Sequence, residues 1–351
     1  MKRDKERIET DKILENIEAE IAEYYQDRIE DVSEEWLDYM QDVAEATAKE
    51  QRDYEDAKKS GDMKKIVASL LALQMIRNKH LITDKKAKVI KENTLRKLAV
   101  VNQGALDIVK KHKPKIYEIN YNQVASGVKK IGVEFQKLNF KLSKKFADKK
   151  IKDKKINATK DMRWNMKFID SQIRQGMNNG ESIPKIANRI FPEMMAKSDT
   201  KGLSKEELDG LIKRNRQAAI RTARTKVTEI ENQARLDSYH ELQRLGVDIK
   251  KRWIATGDSR TRDWHLSMDG QTVGIDEKFT DGLGEKLDKP AQDGASPRTT
   301  YNCRCSMEAV INGFKRDKTR HSAEIQAEKD RRIEKRLQIT ERKLKRKLKD
   351  V

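Results

Sequence analysis

The sequence predicts a mainly α-helical protein that carries one small α+β module. Proline is absent before Pro114, and the first hundred residues are rich in Glu, Lys, Ala, Leu and Ile, which favours long helices. Residues 162–245 predict a helical middle region. From Val247 onward apolar and polar residues alternate, which is typical of a strand, so residues 247–312 predict a small antiparallel sheet.

Composition argues against one large core. Hydrophobic residues make up 36% of the 351 residues, charged residues make up 38%, and the net charge is +19. Residues 1–60 hold 10 basic and 20 acidic residues, whereas residues 314–351 hold 15 and 7. We therefore predict an acidic helical region over 1–136 and a basic helical tail over 314–351, and the excess of positive charge favours polyanionic partners. The sequence shows no leader and no apolar run long enough to cross a membrane, so we expect a soluble chain without a membrane partner.

The acidic region predicts one long helix with an apolar stripe. The stripe has helical spacing and consists of Ile13, Ile17, Ile21, Tyr24, Val32, Trp36, Tyr39 and Val43. A break is expected at Ser60-Gly61-Asp62, and the apolar residues between Ile66 and Ile76 are the expected partner helix. The alternative is that the stripe docks on another protein.

A lysine-rich connector is predicted over 137–160, where ten lysines stand against Asp148 and Asp153. Lys144, Lys145, Lys149 and Lys150 are candidate contacts to double-stranded DNA. Such contacts are nonspecific, because lysines neutralise phosphates without reading bases. A solvated linker is the alternative.

The helical middle region is expected to break at residues 178–184, where Gly180 can end one helix and Ser182 with Pro184 can begin the next. Further on, Ile220, Ala223, Val227, Ile230 and Ala234 form a narrow apolar seam. The opposite face consists of Arg221, Arg224, Thr228, Glu231 and Arg235, and its arginines are expected to form a solvated surface.

The tail predicts a polar helix with a sparse seam of Ile333, Leu337, Leu344 and Leu348. Its final residues are a polycationic arm. We expect Lys343, Lys345, Arg346 and Lys347 to contact DNA phosphates.

The two cysteines of the chain, Cys303 and Cys305, stand one residue apart. Side chains at i and i+2 of a strand share a face, so the two thiols should point the same way. His265 and Asp258 lie in a preceding loop and could complete a zinc site, since zinc accepts sulfur, nitrogen and oxygen ligands. The alternative is that both cysteines are buried as small hydrophobic residues and His265 is a hydrogen-bonded core or turn residue.

An ordered series of motifs carries a family resemblance. It runs from "TARTKVTEIENQA" through "KKRWIATGDSRTRDWHLSMDGQTV" to "NCRC". Its most specific residues are Trp253, Asp258, Arg260, Arg262, His265, Asp269, Gly270, Gln271, Asn302, Cys303, Arg304 and Cys305. The series resembles the head morphogenesis family of tailed bacteriophages, which is related to the F protein of phage Mu, and places such a domain over 161–313.

The resemblance implies a minor head protein without enzymatic activity. The implied place is inside the capsid at the portal vertex, after assembly in the host cytoplasm, with a role in procapsid assembly and in the handling or ejection of DNA. The implied partners are the portal protein, a scaffold or major capsid protein, and double-stranded DNA. Two departures stand out: Lys226 replaces an acidic residue common in the family, and Arg262 stands where some relatives have a cysteine.

Two other functions remain as alternatives. One is a metal-dependent nuclease or transferase that uses His265, Asp258 and Arg260. The other is a basic nucleic-acid-binding factor of the host. The sequence shows no paired catalytic carboxylates with an unambiguous base, so we rank the enzyme below the structural role.

Overall fold

The computed structural model describes residues 5–129, 132–190, 211–311, 326–335 and 338. Helices dominate, and the strands are confined to residues 249–311. The predicted fold class, mainly helical with a small antiparallel sheet, is confirmed.

The helices follow one another along the chain before the sheet begins. They are α1 (Lys5–Ala46), α2 (Ala48–Ser60), α3 (Met63–Asn78), a π-helical turn (Lys79–Thr83), α4 (Lys85–Asn122), α5 (Ala125–Val128), α6 (Phe140–Lys150), α7 (Ala158–Asn178), α8 (Ile183–Ile190) and α9 (Leu211–Arg244). Two short helices lie among the strands, α10 (Asp263–Met268) and α11 (Pro297–Thr300). Residues 326–335 are also helical.

Both predicted breaks are present at glycines. Gly61 follows α2 with φ 70°, and Asp62 then caps α3 by accepting hydrogen bonds from the backbone N–H groups of Lys64 and Lys65. Gly180 follows α7 with φ 63°. Positive φ is a conformation that glycine adopts without steric cost, which explains why the helices end there.

Much of the apolar stripe of α1 is buried, whereas its predicted partner α3 buries Leu73 and leaves several apolar side chains exposed. The buried residues of the stripe include Ile21, Trp36 and Val43. On α3, Val67, Leu71 and Met75 are exposed instead.

Side chains of α1 bind α4. Tyr25 donates a hydrogen bond to Asn102, and Lys97 pairs with Glu35 at 3.6 Å. A Cβ on Gly104 of α4 would lie 2.3 Å from the ring of Tyr24, so the glycine permits this close approach. The long helix α4 is therefore the partner of α1.

Five strands form two small sheets. The first has the order β2-β1-β5, with β1 (Ile249–Ile254) antiparallel to β2 (Thr272–Gly274) and to β5 (Ser306–Ile311). In its register Trp253 faces Met307. The second pairs β3 (Phe279–Thr280) with β4 (Lys286–Leu287).

The chain divides into two compact units, each built from separate segments. One comprises Met1–Ile17, Val109–Asp153 and Arg221–Val351, and the other comprises Glu18–Ile108 and Lys154–Ile220. The first unit holds the sheets over a buried core that includes Tyr239, Leu242, Trp253, Phe279 and Met307.

Candidate metal centre and the helix that supports it

Three candidate ligands meet in the sheet-bearing unit. His265 lies on α10, while Cys303 and Cys305 lie in the irregular segment between α11 and β5. Strand β5 thus begins after the cysteines, whereas the sequence predicted that the cysteines lie within a strand. Both cysteines are nevertheless buried while Arg304 between them is partly exposed, so the predicted alternation is present.

The three side chains form a compact, buried cluster. Their ligand atoms all lie within 4.8 Å of one another. His265 Nδ1 lies 3.9 Å from Cys303 Sγ and 3.6 Å from Cys305 Sγ. His265 is 1% exposed and each cysteine is 2% exposed, so solvent does not reach the cluster freely.

The pKa values of the two thiols shift in opposite directions. The hydrogen bond with Cys305 is the main cause that lowers the pKa of Cys303, and the neighbouring imidazole acts in the same direction. The same hydrogen bond and burial raise the pKa of Cys305. The cluster therefore favours one thiolate at Cys303 more than an isolated buried cysteine would.

Aromatic side chains enclose the histidine. The ring of Trp253 lies 5.8 Å from that of His265, and Trp264 lies 6.4 Å away on another side. Trp253 also packs edge-on against Phe279 at 5.3 Å. The tryptophan of the family series is therefore a core residue that fixes the position of the histidine.

Helix α9 supports the cysteine segment through hydrogen bonds to its backbone. Thr225 Oγ1 accepts from the N–H of Asn302 at 3.0 Å. Thr228 donates to the carbonyl of Cys303 at 2.9 Å, and Asn232 donates to that of Cys305 at 3.2 Å. One turn further, Arg235 donates to the carbonyl of Met307 at 3.2 Å.

The expectation that the arginines on this face of α9 are solvated is wrong for Arg235, which is buried. Thr228, Glu231 and Arg235 are all buried, and Arg235 pairs with Glu231 at 3.0 Å. Of the predicted surface residues Arg221 is exposed and Arg224 is partly exposed. Because β5 is at the edge of its sheet, its outward carbonyls need donors, and Arg235 and Tyr239 of α9 supply them to Met307.

Asp258, the fourth predicted ligand, lies outside the cluster. Its two carboxylate oxygens accept hydrogen bonds from Arg304 at 2.5 and 2.7 Å, and one also accepts from the N–H of Arg260 at 3.0 Å. The Arg304 guanidinium holds the pKa of Asp258 well below its usual range. The carboxylate thus fixes the loop after β1 against the cysteine segment and does not belong to the cluster of the other three predicted ligands.

The other residues of the family series make hydrogen bonds within the same module or adopt positive φ angles. Asp269 accepts a hydrogen bond from the N–H of Ala255 at 2.7 Å, and Gly270 has φ 79°. Gln271 accepts from the N–H of Thr280 at 2.8 Å. Arg262 donates to the carbonyl of Tyr301, and Asn302 has φ 53°, a conformation that Asn tolerates better than most residues.

Four of the eight candidate DNA contacts lie on a described helix, and the other four lie outside the described residues. Lys144, Lys145, Lys149 and Lys150 lie on α6 and are exposed, so this part of the predicted connector is helical. Lys150 also lies 3.8 Å from Asp237. Lys343, Lys345, Arg346 and Lys347 lie outside the described residues, as do Leu337, Leu344 and Leu348, and Ile333 is exposed.

Comparison with known proteins agrees with the resemblance. Residues 167–308 match the family described as Phage Mu protein F like protein, so this part of the chain is similar to that family. No solved structure matches the chain.

Three curated relatives match parts of the chain. The chain is 31% identical over 146 residues to NAD(+)--arginine ADP-ribosyltransferase EFV of Enterococcus faecalis, covering 42% of this chain and 26% of that protein. It is 28% identical over 145 residues to minor head protein GP7 of Bacillus phage SPP1, covering 41% of each. It is 30% identical over 101 residues to the uncharacterized protein YqbB of Bacillus subtilis, covering 28% of this chain and 32% of that protein. The chain thus spans less than half the length of each of these relatives.

Proposed function

We propose that this chain is a minor head protein of a tailed bacteriophage, held inside the capsid at the portal vertex. The match of residues 167–308 to the family carries the proposal, and a matched relative is itself named a minor head protein. No helix in the part of the chain that the structure describes is long and apolar enough to cross a bilayer.

The proposed partners are the portal protein, a scaffold or major capsid protein, and packaged DNA. The net charge of +19 supports a polyanionic partner. The exposed lysines of α6 supply one described surface for phosphates, because they lie close together on a single helix. Such binding is independent of base sequence and serves the handling or delivery of packaged DNA.

The assembly role is tested by reconstitution of procapsids. The full chain would be produced with the portal, scaffold and major capsid proteins of the same phage, and purified particles would be analysed for it. The intact chain is required, because a division after the predicted connector, at residue 160, separates segments that belong together in each of the two compact units. We expect the chain in the particles, and its loss when the portal protein is omitted. Equal incorporation without portal would contradict the proposed location.

The DNA contact is tested with matched charge changes. Replacing Lys144, Lys145, Lys149 and Lys150 by Gln should weaken binding to duplex DNA and flatten its salt dependence by about 0.9 log units for each phosphate that is no longer neutralised. The control replaces four exposed lysines elsewhere, Lys64, Lys79, Lys85 and Lys88. Equal effects of the two variants would show that α6 is not the DNA-binding surface.

The enzyme alternative is not favoured by the contacts of its proposed residues. His265 is buried, and Asp258 is bound by Arg304. Arg260 lies 3.8 Å from Asp258 and is exposed. A relative is named an ADP-ribosyltransferase, but the matched segment covers 26% of that protein. We therefore retain the structural role as the proposal.

A further inference from the structure

The spacing of the His265, Cys303 and Cys305 side chains fits the coordination shell of a small thiophilic metal ion. Zinc binds sulfur at about 2.3 Å and imidazole nitrogen at about 2.0 Å, so a tetrahedral site has nitrogen–sulfur edges of roughly 3.5 Å. The observed edges from His265 Nδ1 are 3.6 Å to Cys305 Sγ and 3.9 Å to Cys303 Sγ. On these two edges an ion would need shifts of only a few tenths of an ångström, and the two sulfur atoms lie within 4.8 Å of each other.

The surroundings leave the histidine poorly satisfied without an ion. Its Nε2 is buried and has no hydrogen-bond partner among the described residues, and its Nδ1 lies against the two sulfur atoms. Thiols are weak hydrogen-bonding groups, so a buried imidazole that depends on them is costly. Metal coordination at Nδ1 replaces these two weak contacts with one strong bond and leaves Nε2 as it is.

Both ligand-bearing segments are anchored independently of the cluster. Thr228 and Asn232 donate hydrogen bonds to the carbonyls of Cys303 and Cys305, which fixes the backbone of the two cysteines relative to α9. On the other side, the N–H of His265 donates to the carbonyl of Arg262 at 3.0 Å, and the side chain of Arg262 binds the carbonyl of Tyr301. Supporting contacts of this kind around ligands are what orient them in metal sites.

We propose that His265, Cys303 and Cys305 together bind one zinc ion, which joins α10 to the segment before β5. Two soft thiolates and an imidazole suit zinc. Among the described residues no further His, Cys, Asp or Glu belongs to this group, so three protein ligands hold the ion and a small exogenous ligand completes its shell. The site is independent of portal or DNA binding.

Elemental analysis tests the site directly. The full chain would be expressed with added zinc and purified without chelator, and we expect one zinc ion per chain. Cys303→Ser and Cys305→Ser should each reduce this to near zero. Asp258→Asn is the matched control and should retain zinc, because the Asp258 carboxylate binds Arg304. Loss of zinc from the control would restore Asp258 as a ligand and overturn the three-residue site, and copper in place of zinc would overturn the metal assignment.

Cobalt substitution gives a second test that needs no variant to fold. The chain has only two cysteines, so a sulfur-to-cobalt charge-transfer band in the wild-type chain reports on these two alone. We expect that band together with the visible absorption of tetrahedral cobalt. Folded wild-type chain that contains no zinc and develops no such band with cobalt would overturn the proposal, even if the cysteine variants fail to fold.

Discussion

Helices α9 and α3 show opposite relations between polarity and burial. On α9, Asn232 and Arg235 are almost completely buried, at 0% and 2% exposed. On α3, Leu71 and Met75 are 55% and 75% exposed. On these two helices, contact with neighbouring backbone groups decides burial, and the polarity of the side chain does not. Polar side chains of α9 donate hydrogen bonds to the carbonyls of Cys303, Cys305 and Met307. The exposed Leu71 and Met75 of α3 are apolar and donate none.

The largest effect is expected when Arg235 is replaced by Met. Glu231 then stays buried without its cationic partner, and such a change costs about 3–5 kcal/mol. The measurement is the free energy of unfolding from urea titration. The double variant Arg235→Met/Glu231→Gln should recover part of this stability, because no charge is left unpaired. A destabilisation of under about 1 kcal/mol for the single variant would show that the α9 face is not a closed interface.

Replacing Asn232 by Ala should have the next largest effect. Its amide donates to the carbonyls of Thr228 and Cys305, and leaving a buried acceptor without a donor costs about 1–3 kcal/mol. Gln243→Ala on the exposed surface of the same helix is the control and should change stability little. Ala has a higher helix propensity than Asn or Gln, so propensity alone would stabilise both variants. A loss at Asn232 no larger than that at Gln243 would contradict the role of the amide.

The Asp258–Arg304 pair should make stability depend on acid. The pKa of Asp258 is depressed in the folded chain, so its contribution is present above about pH 4, the ordinary aspartate pKa, and disappears as the pH falls below it. Since the two side chains are 36% and 31% exposed, we expect a contribution below about 1 kcal/mol. Urea titrations from about pH 7 to about pH 3 measure it. Asp258→Asn should lose less stability over this range than wild type, and parallel curves would contradict the assignment.

The smallest effect is expected on α3. Leu71→Ser and Met75→Ser remove exposed side chains and should change the unfolding free energy by within about 0.5 kcal/mol. Leu73 on the same helix is 1% exposed, so Leu73→Ala should cost about 2–5 kcal/mol and serves as the contrast. Destabilisation of equal size at Leu71 would show that the exposed face is packed in solution.

Much of the fold could be predicted because its signals are local. Gly61 and Gly180 mark helix ends through backbone freedom, and the alternation after Val247 marks β1. The common direction of the two thiols was also predictable, because side chains one residue apart share a side of an extended segment. His265 was a candidate third ligand because of its imidazole, and it does lie beside the two thiols. The match of residues 167–308 confirms the family resemblance that the ordered motifs carry.

The features that the sequence did not predict depend on contacts between residues that are distant in the sequence. The exposure of α3 could not be predicted, since its apolar residues have the same pattern whether or not another helix covers them. Asp258 is a chemically suitable ligand, and only the position of Arg304 shows that it is engaged elsewhere. The polar face of α9 carries one usable signal: Thr225, Thr228, Asn232 and Arg235 recur every three or four residues, which also predicts an aligned set of donors for another backbone.

The central structural claim is that α9 and the segment from Asn302 to Met307 form one cooperative unit through these side-chain hydrogen bonds. Native-state hydrogen exchange measures it most directly. We predict that amides of α9 and of β5 open with the same free energy, and that Asn232→Ala lowers both by the same amount. A variant in which β5 loses protection while the amides of α9 keep theirs would contradict the account.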